Sequence, residues 1–413
     1  MKVVHISISE SGGGAANAAC RLNDALSAAG VDSSLITREN TVRFDSFPTF
    51  FQWLFDRIIK RGYSRIRSRI ISNYQVKGTW SDGDGFYRML AIPQVINSDA
   101  VYLHWINQFF ISIEEIGRLL DTGKPVIWFM HDMWPLTGGC HHAFECTRYQ
   151  THCGACPMLS SNGKKDLSYL VFERKLKCLM RRRNLIVVSP SHWLAHCAEK
   201  SRLFGGSRIE VIPNIIDCNH FQPVEKLSAK KALGLPPDKK IILFGCDAGS
   251  KNFYKGWNFL EEALLKLDLS QYELVVFGQK KDKAQKNALP VNIHYLGRFD
   301  NESPDLVLAY SAADVFVSPS IAENFSLTLC EASACGVPSV CFDIGGNSDI
   351  VLHKKTGYLA KYKDCDDLAA GIEWVLNHQD KDGLSAAARR HIESLCSIPV
   401  VIEKHKKLLQ SLV

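Results

Sequence analysis

Glu323 and Glu331 stand eight residues apart in IAENFSLTLCEASACGVP, behind the apolar strand pattern DVFVSPS and around a helical pattern that Gly336 and Pro338 end. This spacing puts the first carboxylate at the helix mouth and the second about two turns further in, which is not the water-separated pair of a hydrolase. Carboxylates accept hydrogen bonds from vicinal diols, so one can touch a transferring sugar while the other holds ribose hydroxyls. Helix capping and surface roles are the structural alternatives. Lys255 and Lys251 share SKNFYKGWNFL, between the strand pattern KIILFGC and a helix. A lysine at that junction can neutralise phosphates and stabilise charge developing on a leaving diphosphate; a plain surface lysine is the alternative. FDIGGNSDIVLHKKTGY adds a glycine loop, Gly345 and Gly346, after another strand.

Ser11, Gly12, Gly13 and Gly14 follow the opening strand pattern and precede an Ala-rich helix. Free N–H groups at a helix N-terminus suit an anionic or polar ligand, and a tight turn is the simpler reading. Neither GxGxxG nor GxxxxGK[ST] is present, so dinucleotide and P-loop readings lose support. His131 ends the apolar strand VIWFM and is followed by Asp132. An imidazole there can hydrogen-bond a sugar hydroxyl or a diphosphate oxygen, with Asp132 fixing its tautomer, or it is a satisfied structural histidine. His104 ends the neighbouring strand and is the weaker candidate.

Cys140, Cys146, Cys153 and Cys156 follow C-x5-C-x6-C-x2-C, with His141, His142 and His152 nearby. That spacing is compatible with tetrahedral thiolate coordination of a structural zinc. Unligated reduced cysteines and a redox or disulfide role are the other readings, and Pro157 argues against a thioredoxin-like helix start.

Strand patterns at Lys2–Ile8, Val31–Thr37, Ala100–His104, Pro125–His131, Asn184–Ser189 and Ile209–Ile212 alternate with helices in the first half. A polar stretch from Pro213 to Pro237 follows, and the alternation restarts at Lys240–Cys246. The expected fold is α/β, two doubly wound Rossmann-like domains facing each other across a cleft, where ligands bind. The expected domains are 1–220, with an insertion at about 40–95 covering one edge and a cysteine-rich loop at 140–156; 221–395; and a C-terminal helix, 396–413, near the domain interface.

The 413 residues carry 49 basic and 43 acidic side chains, a formal charge of +6, well short of a dedicated nucleic-acid binder. Six basic residues and no acid fall between Arg57 and Arg69 (Arg57, Lys60, Arg61, Arg65, Arg67, Arg69), interleaved with Ile and Tyr. This amphipathic pattern reads as a helix for an anionic membrane surface or as a solvated basic face. Nothing is long and apolar enough to span a bilayer, and MKVVHISISESGGG reads as a buried strand rather than a signal peptide. The expected location is cytoplasmic, peripheral on the inner face of the membrane, with the 14 cysteines reduced.

With these motifs in view the chain resembles the family-4 glycosyltransferases, retaining nucleotide-sugar enzymes of the two-lobed GT-B fold. Its most specific piece is E-x7-E from Glu323 to Glu331, between VSPS and GVP; SPSHW, VIPNIID and the KG pair at Lys255 also match. The resemblance implies that Glu323 contacts the donor sugar and Glu331 the donor ribose. It places Asn324, Phe325, Ser326 and Leu327 in the donor-binding loop and Gly13 and Gly14 near the diphosphate and acceptor. Lys255 and His131 join Glu323 at the reacting centre, and no catalytic metal is implied. HDMWPLTGGCHH with its cysteines resembles a capsule or exopolysaccharide subgroup. Two departures stand out. Cys246, Asp247 and Ala248 occupy the place of a usual basic residue, leaving Lys251 as a substitute, and Ser348-Asp349 replaces the usual Pro-Glu after the second glycine loop. The function expected is sugar transfer to a glycan or lipid-linked acceptor, with no nucleic-acid partner. A nucleotide-sugar epimerase-type enzyme and a non-catalytic glycan-binding scaffold are the alternatives.

Overall fold

A computed structural model of the chain describes residues 1–41, 62, 67, 69–245, 253–279, 289–300 and 302–412. Lys251, the Cys246–Ala248 stretch and, of the basic segment, Arg57, Lys60, Arg61 and Arg65 lie outside these residues. The chain forms two compact units. One comprises Met1–Pro190 and Leu194–Val211 with Leu412, the other Ser191–Trp193 and Ile212–Ser411. The main crossing falls at Val211–Ile212, and the C-terminal helix Ile398–Gln410 clusters with the second unit.

The first unit is built on six strands: β1 Lys2–Ile6, β2 Asp32–Ile36, β3 Ala100–Leu103, β4 Val126–Phe129, β5 Leu185–Ser189 and β6 Arg208–Val211. They pair in parallel in the order β2-β1-β3-β4-β5-β6. AVYL, VIWF and LIVVS are buried along their whole length, as strands covered on both faces must be. Helices fill the crossovers, and side chains fix where they start: Ser112 accepts the Glu115 N–H at 3.1 Å and Asp166 the Tyr169 N–H at 3.2 Å. The described part of the 40–95 segment docks on the loops after β3 and β4, through bridges of Trp80 to Cys140 and Gly85 to Phe109. It lies at the carboxyl ends of the strands, where the sequence pattern suggested a covered edge.

The second unit repeats the design with β7 Lys240–Gly245, β8 Tyr272–Phe277, β9 Ile293–Gly297, β10 Val315–Ser318, β11 Ser339–Phe342 and β12 Gly357–Ala360, all parallel in the order β12-β11-β10-β7-β8-β9. Strand alternation splits its core in two. Ile241, Leu243, Val275 and Phe316 pack with Tyr310 and Leu329 on one face. Ile242, Phe244, Leu274 and Val317 pack with Trp257 and Leu260 on the other. Phe316 is fully buried at the centre, and truncating it to Ala would cost about 3–5 kcal/mol. From β7 the chain builds outward through β8 and β9, then returns to β7's other side as β10. Loops leaving β7 and β10 therefore diverge, and ligands of open α/β sheets bind at such a switch point.

Candidate active site

Lys255 follows β7 and Glu323 follows β10, so the two arrive at the switch point from its two sides. Lys255 Nζ lies 3.2 Å from Glu323 Oε2. Backbone contacts hold the loops at this distance: the Ile321 N–H donates to Tyr254 O at 2.8 Å. Gly256 has φ +71°, and a Cβ there would stand 1.9 Å from the Pro319 carbonyl oxygen. Gly345 has φ +58°, and its Cβ would stand 1.7 Å from the Glu323 carbonyl oxygen. The glycine loop after β11 is thus the bed on which the Glu323 backbone lies.

Glu331 lies within the helix Leu327–Ala334, buried, with its Oε2 accepting the Tyr310 hydroxyl at 3.1 Å. Tyr310 fixes that carboxylate oxygen from a separate helix. Ser326 is the N-cap, its Oγ accepting from Leu329 N–H at 3.4 Å and facing Thr328 Oγ1 at 3.1 Å. The Phe325 side chain belongs to the apolar core and Leu327 packs against it, so these two can offer a ligand only their main chain. Asn324 is buried beside them. Asp349 Oδ2 accepts the His192 N–H at 2.7 Å and faces its ring Nδ1 at 3.3 Å. Asp349 therefore holds His192 through both its main chain and its ring.

In the first unit three imidazoles form a chain across neighbouring strands. His5 Nδ1 lies 2.9 Å from His104 Nε2, and His104 Nδ1 lies 2.9 Å from His131 Nε2. Burial pulls the His131 pKa down to about 4 against the opposing charge of Asp132, so the ring is neutral near pH 7. Asp132 sits in its own network. Its Oδ2 is 2.6 Å from His141 Nδ1 and accepts from Trp105 Nε1 at 2.9 Å; its Oδ1 accepts the Trp134 N–H at 2.8 Å. Ser81 Oγ completes the line, 2.9 Å from His141 Nε2. Burial alone would raise the Asp132 carboxyl, and the charge and hydrogen bond of His141 overcome it, holding the pKa near 2. Asp132 is thus spent on His141 and the two tryptophans, while His131 Nε2 pairs with His104. Gly13 caps the helix Gly14–Ala28, and a Cβ at Gly13 would meet no protein atom within 4 Å, so packing does not demand the glycine.

His5 and Ser81 were not singled out from the sequence, and His141 was noted only for its place beside the cysteines. Of the basic stretch, Arg67 is engaged within the protein: Nε pairs with Asp82, and the guanidinium lies 4.6 Å from the Phe109 ring centroid. The four clustered cysteines gather around one small cavity. Among the described residues, however, no group of three or more His, Cys, Asp or Glu side chains is arranged to hold a metal ion, so the expected zinc sphere is not formed by the thiols as they stand.

Residues 225–391 match the family model described as glycosyl transferases group 1. Over 197 residues the chain is 30% identical to D-inositol 3-phosphate glycosyltransferase 2 of Catenulispora acidiphila, covering 44% of this chain and 45% of that protein. It is 34% identical over 194 residues to the lipopolysaccharide core biosynthesis mannosyltransferase LpsB of Rhizobium meliloti, covering 43% and 52%. The match thus spans about half the length of these curated relatives. Anabaena HepE, solved in complex with UDP-glucose, superposes over 100% of both chains with a TM-score of 0.62 at 16% identity. The chain has the GT-B fold, and through its second unit it is related to the group 1 glycosyl transferases.

Proposed function

We propose that this protein is a retaining glycosyltransferase that moves a sugar from a nucleotide-sugar donor to a hydroxyl of a glycan or lipid-linked oligosaccharide in bacterial envelope polysaccharide synthesis. The observation that carries this reading is the Lys255–Glu323 pair, 3.2 Å apart at the β7/β10 switch point. It puts a cation for a diphosphate beside a carboxylate for a sugar, on loops locked by backbone contact. Lys255 offsets the charge that grows on the leaving diphosphate, a contact that strengthens in the transition state. Glu323 touches the donor sugar, and Glu331, oriented by Tyr310, accepts from ribose hydroxyls. Asn324 and Ser326 contribute with the main-chain N–H groups at the start of their helix. Lys251 is the second cation in this scheme.

The first unit takes the acceptor side, with Gly13 and Gly14 leaving the helix N-terminus open to polar groups and neutral His131 offering a ring nitrogen to a hydroxyl. Retention follows a same-face course: the acceptor hydroxyl proton passes to the departing phosphate oxygen as the new glycosidic bond forms, and Lys255 does the electrostatic work without a catalytic metal. The relatives support the substrate classes, since HepE is solved with UDP-glucose and LpsB is a lipopolysaccharide core mannosyltransferase. The remaining basic residues of the 57–69 segment place the protein at the anionic inner surface of the membrane. Among the described residues no helix is long and apolar enough to cross one.

A panel of UDP-, GDP- and ADP-sugars incubated with acceptor-bearing membrane extract tests the reading. Release of nucleoside diphosphate that depends on the extract, from one donor class, is the expected result. Epimerised donor without acceptor, or folded protein that turns over no donor, would overturn it.

A further inference from the structure

Cys140, Cys146, Cys153 and Cys156 all line one cavity of about 10 Å³, room for a single small ion, and all four are free thiols. We propose that this cavity is a structural zinc site in which the four sulfurs are the complete ligand set. The proposal is independent of the transferase reading.

The wall of the cavity already offers a main-chain donor to one of the four sulfurs. The Gly138 N–H donates to Cys153 Sγ at 3.1 Å. Main-chain donors aimed at ligand atoms are the outer support typical of metal sites. Lys175 lies wholly buried on the helix Leu167–Leu179, its Nζ held by the Trp134 and Thr137 carbonyl oxygens, 3.5 Å from the Trp134 ring centroid. Thr137, one of these two carbonyl partners, also lines the cavity.

Two of the three neighbouring imidazoles that could compete as ligands are committed elsewhere. His141 bridges Asp132 and Ser81, and His152 Nε2 lies 2.5 Å from Glu173 Oε1. An all-thiolate set with no open position selects a soft, tetrahedral, redox-inert ion, and zinc is that ion. The loop also needs a fastener. Between β4 and the helix Leu167–Leu179 it has only short 3-10 turns, with Phe144 and Ala155 held at φ 50° and 44°.

The thiols as they stand form the wall of the site rather than a closed sphere. Closing it is coupled to proton loss: each S–H gives up its proton as its sulfur binds, four protons leave and one Zn²⁺ enters. The site then carries a net charge of −2.

The test uses reduced full-length protein purified without an immobilised-metal column. Zinc is measured by elemental analysis, and the protein is then exchanged with Co²⁺ and its visible spectrum recorded. Expected are about one zinc per chain and the intense charge-transfer and ligand-field bands of a tetrahedral cobalt tetrathiolate. Cys153→Ser should lose most of the zinc, whereas Cys20→Ser, on the helix after β1, should keep it. If Cys153→Ser does not fold, the cobalt spectrum of the wild-type protein decides alone. Folded, reduced wild-type protein with less than about a tenth of an equivalent of zinc and no thiolate bands on cobalt addition would overturn the proposal.

Discussion

Replacing Gly345 by alanine tests whether the donor loop is held by backbone packing rather than by the Glu323 side chain. An alanine Cβ at this position would stand 1.7 Å from the Glu323 carbonyl oxygen, short of the 3.0 Å floor for such contacts by 1.3 Å. Neither atom can rotate away, because one is main chain and the other is fixed to it. The Glu323 backbone must therefore move by about 1 Å, a displacement that costs on the order of 10²-fold in rate when it misplaces a reacting group. The left-handed φ of +58° adds about 1–2 kcal/mol of backbone strain. Gly234→Ala is the matched control: φ there is +67°, and its Cβ would meet nothing within 4 Å, so it carries the strain without the clash. Nucleoside-diphosphate release from the accepted donor, measured well below the melting temperature of each variant, reads the difference. Gly345→Ala should lose about a hundredfold in kcat/KM, and Gly234→Ala should lose stability alone. Gly345→Ala activity within about threefold of wild type would refute the argument that this contact positions Glu323.

Lys255→Ala should weaken nucleoside-diphosphate binding by about tenfold or more and slow transfer, read by calorimetry and initial rates; unchanged affinity and rate would remove its phosphate role. His131 binds its proton less tightly when folded (about 4) than when unfolded (about 6.5), so the unfolded state holds more protons between these values. Wild-type stability from this ring is then present above pH 6.5 and falls as pH drops towards 4, by about 2–3 kcal/mol. Urea titrations of wild type and His131→Gln should show a shallower acid decline in the variant, and parallel declines would count against the buried-neutral assignment.

Strands were legible wherever an apolar run had two covered faces: VIWF, LIVVS and VFVS read directly as buried strands. β12 was missed because GYLA is short and follows the charged stretch HKKT. The helix Lys381–Cys396 opens on Lys, Asp and Gly and buries only Leu384, Ala388, Ile392 and Cys396, a stripe too narrow to stand out. Lys255 and Glu323 stand out in the sequence as chemical types at strand–helix junctions. That they pair did not show: it comes from the return of the chain to β10 beside β7, set by sheet order rather than spacing. His5 gave no signal, since a histidine inside KVVHI looks like any other strand residue until His104, 99 positions away, is hydrogen-bonded to it. Lys175 reads as a surface residue on an amphipathic helix, and only its two carbonyl partners show that it is buried.

The measurement that bears most directly on the central claim is single-turnover transfer of a labelled sugar by wild type and Glu323→Gln at saturating donor, with the anomeric configuration of the product read by NMR. The account requires a product of the donor's own configuration. It also requires a folded Glu323→Gln protein slower by about a hundredfold or more, a loss of about 3 kcal/mol of transition-state stabilisation. A near-wild-type rate in that variant, or a product of inverted configuration, would contradict it.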